Sequence, residues 1–159
     1  MNELARIDDV AAAWLAAWTG ARPFGDSCTP DVQYEDPLVV DPLRGLDDLD
    51  EHAARLRSAI PDLRLDRTAP ALTGGPYACI AWRAAGTHKN DAPSLPRTNR
   101  FITLQGLHYL ELADGQIHRA RGFFDLYDTA TQLGILPPRG GLGETALLLL
   151  RGFGLRARS

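Results

Sequence analysis

From Leu4 to Trp18 apolar side chains recur three and four positions apart, at Leu4, Ile7, Val10, Ala11, Trp14, Leu15 and Trp18. That spacing predicts an amphipathic helix, stopped by Gly20. VQYED, residues 32–36, reads as a short strand bounded by Pro30 and Pro37. A second helix is predicted from Asp47 to Ile60, with Asp47 and Asp50 as its capping pair and Leu49, Ala53, Leu56 and Ile60 facing inward; Pro61 lies just beyond it. After Pro61 the period drops to two. LRLDRTAPAL (63–72) begins to alternate and TGGP (73–76) turns the chain. YACIAWRAAGTH (77–88) and RFITLQGLHYLEL (100–112) are strands joined by the loop 89–99. Asp114-Gly115 then marks a hairpin into QIHRARGFFD (116–125). Helical spacing returns over LYDTATQLGIL (126–136), PPRGG breaks it, and LGETALLLLRGF (142–153) has the pattern of one more helix.

Helices first and a four-stranded antiparallel meander after them argue an α+β fold with the helices on one face of the sheet. A bent sheet covered in this way forms a cone, and a cone is a natural ligand cavity. At 159 residues the chain has the length of one domain. Its net charge of −3 gives no basic face for nucleic acid. The tail arginines Arg151, Arg156 and Arg158 are too few to change that. Cys28 and Cys79 have neither metal nor redox spacing, and no GxGxxG, P-loop or GxSxG pattern occurs. The acidic N-terminus and the short apolar run at 146–150 argue against a signal peptide and a membrane span, so the expected location is cytoplasmic.

Several stretches together carry a family likeness: YEDPL (34–38), GTH (86–88), LPRTNRF (95–101), ADGQIHRARGFFD (113–125) and QLGILP (132–137). In this order they resemble the SnoaL-like polyketide cyclases of the nuclear-transport-factor-2-like superfamily, which also holds the ketosteroid isomerases and limonene-epoxide hydrolases. The likeness spans about residues 4 to 138, which marks 1–138 as the domain and 139–159 as a C-terminal extension of a short helix and basic tail. It implies a cone-shaped barrel of curved antiparallel sheet wrapped around N-terminal helices, a homodimer paired through the sheet, a small-molecule substrate and no cofactor. It also implies a single catalytic Asp on the last strand, and Asp125 matches that position.

Each candidate residue has a structural reading beside its functional one. Asp125, with Asp128 three residues later, is placed as a helix N-cap; beside Phe123, Phe124 and Tyr127 it is also placed as a desolvated general base. His108 shares a mostly apolar strand face with Arg100, Ile102, Leu104 and Leu110. It is a core histidine or, beside a carboxylate from the next strand, a group that polarises a substrate carbonyl. Tyr34 and Asp36 are further polar candidates, Asp36 as a second catalytic group. Trp82 offers a packed core side chain or a flat wall for an aromatic substrate, and His88 sits where the cavity mouth would open. Arg100, Phe123 and Tyr127 complete the expected substrate contacts, and no metal ligand set is expected.

Three functions fit these residues. The first is ring closure or isomerisation of a small apolar, polyketide-like carbonyl compound by acid/base chemistry. The second is epoxide opening or hydrolysis, for which Arg83 lacks an acid two residues along its strand. The third is a ligand-binding or assembly module without chemistry.

Overall fold

The computed structural model describes residues 3–93 and 95–150. The N-terminal helical repeat forms α1, Glu3–Trp18. Gly20, at φ 79°, lets the chain leave the helix, and Ala21 N and Gly20 N return to the carbonyls of Ala16 and Ala17. A 3₁₀ turn at Phe24–Asp26 leads into β1, Cys28–Glu35. A two-residue strand β2, Leu43–Arg44, precedes α2, Gly45–Ala59. The strands β3 (Arg64–Arg67), β4 (Leu72–Gly74), β5 (Tyr77–Thr87), β6 (Phe101–Ala113) and β7 (Gln116–Phe124) follow. The last two elements are α3, Leu126–Gln132, and α4, Leu142–Leu150.

One curved sheet orders the strands β2-β1-β7-β6-β5-β3, and β4 also pairs with β5. Asp114 and Gly115, both at positive φ, turn β6 back into β7 as the Asp-Gly signal requires. Alternation then gives the sheet two chemically distinct faces. Ile80, Trp82, Ala84, His108, Leu110, Ala120 and Gly122 are buried, whereas Arg83 and Phe123 are exposed. The helices α1 and α2 close over the buried face. Leu49, Ile80, Leu110, Ile117 and Val32 are almost wholly buried there, and each such side chain contributes about 1.5–3 kcal/mol through removal from water.

Three expected boundaries are corrected, one of them that of α3, which was expected over 126–136 and ends at Gln132, ahead of Gly134 at φ 80°. The first strand begins at Cys28 rather than 32 and runs through Pro30, which lies within a register shift between Cys28 and Gln33. A residue without an N–H is tolerated at such an irregularity. This strand lies parallel to β7, with Tyr34 opposite Ala120, so it is part of the same sheet as the meander. The second helix begins at Gly45. The Asp48 carboxylate accepts the Arg44 N–H, in place of the expected Asp47–Asp50 pair.

Helix α4 buries none of its side chains, with Leu142 and Leu150 the most open, and Glu144 joins it to the body by accepting from the Tyr127 hydroxyl. Residues 151–153 of the expected last helix, and Arg151, Arg156 and Arg158, lie outside the described residues. No helix among the described residues is long and apolar enough to cross a membrane.

Candidate active site

The parallel pairing of β1 with β7 carries Asp36, one residue past the strand, alongside Gly122. Its side chain is only 2% exposed. A buried carboxylate needs partners, and it has three. Oδ2 accepts from the Tyr34 hydroxyl at 3.0 Å and from His52 Nε2 at 2.9 Å, and Oδ1 accepts the Leu38 N–H at 2.7 Å. Burial alone would raise the acid. The hydrogen bond and charge of His52, with the bonds from Leu38 and Tyr34, outweigh it and hold the carboxyl below its ordinary range. Tyr34 moves the other way: burial, the Asp36 charge and its own bond to that charge keep the phenol protonated.

His108 lies opposite Gly122 in the β6–β7 ladder and is buried. Trp14 Nε1, on α1, donates to His108 Nδ1 at 3.0 Å. Because an indole only donates, Nδ1 must accept, and the ring proton sits on Nε2. Burial, opposed by the Asp36 charge, brings the imidazole from an ordinary 6.5 down to about 3, so it is a neutral donor. The unfolded chain therefore binds a proton here that the folded chain rejects. Stability from this group is whole above about pH 6.5 and is lost as pH falls toward 3. Between pH 6.5 and 5 that loss is about 2 kcal/mol, a window above the titration of Asp36. Urea denaturation at the two pH values should show this fall in the native chain and a smaller one in His108→Gln. Equal slopes would refute the assignment.

Two glycines shape the space between these groups. A Cβ on Gly122 would lie 2.6 Å from the Tyr34 hydroxyl, 3.2 Å from Asp36 Cβ and 3.4 Å from His108 Cδ2. The missing side chain is what lets the acid, the phenol and the imidazole gather at one point. At Gly106 a Cβ would meet Trp82 Cζ2 at 2.2 Å, so the indole lies flat across that glycine. Trp82 and Trp18 also pack on the His108 ring, Trp18 in a near-parallel stack at 5.8 Å.

Above this cluster opens a cavity of about 350 Å³. Its walls are mainly Leu, Ile and Ala side chains of α2, β5, β6 and α3, and among the described residues Asp36 is the one carboxylate that lines it. Among the described residues no arginine or lysine lines it, and Arg83 is exposed on the other face of the sheet. A wider recess of about 500 Å³ at Arg6, Thr73 and Asp114 is lined largely by exposed residues and holds none of the buried polar groups. Among the described residues no three His, Cys, Asp or Glu side chains are grouped as a metal site requires.

The structure brings together Tyr34, Asp36, Trp82, His88 and His108 at the cavity and leaves four expected residues outside it. Asp125 is the main correction. It is the N-cap of α3, accepts the Asp128 N–H at 2.9 Å, pairs with Arg139 at 3.2 Å, and its side chain is 52% exposed. Water and a cation surround it where an apolar floor was expected. Phe123, one residue out of phase with Gly122 and Phe124, points to the exposed face of the sheet. Tyr127 faces Pro137, Glu144 and the Arg139 guanidinium. Arg100 precedes β6, and its guanidinium bonds the Gln132 carbonyl at the end of α3.

His52, Trp14 and Trp18 were not among the expected site residues. Each carried a faint signal, because His52 falls three after Leu49 and four before Leu56, and both tryptophans sit on the apolar stripe of α1.

The SnoaL-like polyketide cyclase model matches residues 8–133. A structure from Jannaschia sp. CCS1 named for the same cyclases superposes with a TM-score of 0.74 at 17% identity, covering 87% of this chain and 98% of that one. IdmH of Streptomyces antibioticus, named for the polyketide cyclases, gives 0.70 at 18% identity, covering 84% and 99%. A Catenulispora acidiphila protein of ketosteroid-isomerase-like fold gives 0.65 at 23% identity, covering 79% and 92%. At these identities the likeness is one of fold. No curated protein matches the sequence.

Proposed function

The chain belongs to the SnoaL-like polyketide cyclase family, and on that premise we propose that it closes a ring in a small, mostly apolar carbonyl compound with Asp36 as the base. The observation that carries this reading is the pairing of one ionised carboxylate with one neutral imidazole donor at a greasy cavity.

A carboxylate held low is a weak base, so it suits a carbon acid already activated, such as a CH₂ between two carbonyls. Asp36 Oδ1 accepts a single hydrogen bond and retains a free lone pair for that proton. As the C–H bond breaks, charge moves onto a carbonyl oxygen, where the His108 Nε2–H stabilises it without transferring its own proton. The enolate carbon then bonds to a second carbonyl carbon of the same molecule. The alkoxide so formed takes the proton back from Asp36, a strong acid once protonated. His52 and Tyr34 act through Asp36 by holding its carboxylate in place. The apolar walls fold the chain of carbonyls, and an intramolecular reaction gains most from that.

The first step has a direct test that needs no knowledge of the natural substrate. In D₂O the protein should exchange the C2 protons of benzoylacetone, followed by proton NMR, at least about tenfold faster than free carboxylate at equal concentration. Exchange no faster than that control would sink the reading.

A further inference from the structure

At the end of β5 lies a polar group that the proposed chemistry leaves unused. His88 is 3% exposed and its side chain lines the cavity. The Thr98 N–H donates to its Nδ1 at 3.2 Å, and the Thr98 hydroxyl lies at 3.2 Å from the same nitrogen. With Nδ1 accepting, the ring proton belongs on Nε2. That Nε2 is buried and has no hydrogen-bond partner among the described residues. The backbone on either side is pinned, His88 N to the Arg100 carbonyl and His88 O by Asn99 N, so the ring is held in place. A buried donor left unpaired costs as much as a lost hydrogen bond, and such a group in a folded protein asks for an explanation.

Its position supplies one. The residue opposite His108 in the β5–β6 ladder is Ile80, eight positions before His88 on the same curved strand. The two imidazoles therefore belong to opposite ends of the cavity. Ile60, Leu63, Leu95 and Ile102 line it too, and none of them offers a polar side chain. The indole nitrogens of Trp18 and Trp82, which pack on the His108 ring, are likewise buried without a partner. The His88 and His108 imidazoles thus stand at the two ends of a cavity whose one carboxylate among the described residues is Asp36.

We infer that His88 Nε2 is the specificity donor for a second oxygen of the substrate, a carbonyl or ether acceptor remote from the carbons that react. The substrate class is then an elongated compound with acceptor oxygens at both ends and an apolar body between. A hydroxyl whose oxygen has no free acceptor direction, or a bare hydrocarbon end, leaves the donor orphaned and binds less well. This rests on the reading of the cavity as a carbonyl-binding active site, and the experiment separates the two.

The probes are benzoylacetone and its para-acetyl derivative, which adds one distant carbonyl. Quenching of tryptophan fluorescence reports binding, because all three tryptophans surround the site. The para-acetyl compound should bind the native chain about three- to tenfold more tightly, the effect of one net hydrogen bond. In His88→Phe the ratio should fall to about one, whatever the change in absolute affinity. His88→Gln, which keeps a donor near Nε2, should retain most of the preference, and this separates lost recognition from lost packing. Equal affinities of the native chain for the two probes, binding of neither, or an unchanged preference in His88→Phe would overturn the inference. Failure of the exchange reaction with the affinity ratio intact would instead remove only the base chemistry.

Discussion

Asp36→Asn is expected to slow α-proton exchange by about 100- to 10,000-fold, the range general-base groups contribute, while Asp125→Asn leaves the rate nearly unchanged. The contrast follows from where the two acids sit. Asp36 borders the cavity with its side chain almost fully enclosed and its second oxygen occupied by Tyr34 and His52. Asparagine keeps the shape but takes no proton from carbon. Its one carbonyl oxygen accepts from Tyr34 and His52, while its NH₂ takes the place of the oxygen that faced the Leu38 N–H. Asp125 is half-exposed and caps α3, a task asparagine performs equally well. Both variants should keep the native near-ultraviolet dichroism, because neither removes packed volume. The decisive measurement is exchange of benzoylacetone by the two variants side by side. A large loss in Asp125→Asn with an active Asp36→Asn would move the base to the end of β7 and refute the assignment made here.

The second large effect is on stability. Gly106→Ala should destabilise the fold by about 2–3 kcal/mol, near the upper end for overpacked cores. The new methyl would meet the Trp82 ring at 2.2 Å and the Phe123 carbonyl oxygen at 2.6 Å. A flexible side-chain tip can move away; an indole packed against His108 and Phe124 and a ladder carbonyl cannot do so cheaply. For a chain of this length the melting midpoint should fall by about 5–10 °C. The same displacement would push the indole toward the cavity, so probe affinity should fall with it. A midpoint unchanged within a degree would show that Trp82 does not pack as described.

Much of the architecture was readable from local pattern. The α1 stripe, the Asp-Gly hairpin and the alternating β5 and β6 all depend on neighbours within a few residues. The start of β1 was less legible, because its partner β7 lies some eighty residues away and parallel pairing leaves no nearby turn signal. The site divided in the same way. His108, Tyr34, Asp36, Trp82 and His88 stood out as polar or aromatic groups on apolar strands, and all five border the cavity. Asp125 stood out for the same local reason, and its capping alternative proved to be its place in the fold.

What the sequence determined by itself was the long helices, the long strands with their two faces and the family, since these follow from hydrophobic period, turn chemistry and motif order. The tertiary structure alone decided which acid meets the imidazole. The carboxylate at 125 differs from the one at 36 in solvation and partners, and both arise from contacts between segments far apart in sequence. One is left to water and Arg139; the other is enclosed by β1, α2 and the side chains gathered over Gly122. A pKa, a tautomer and a cavity are properties of that enclosure, so no local run of residues could display them.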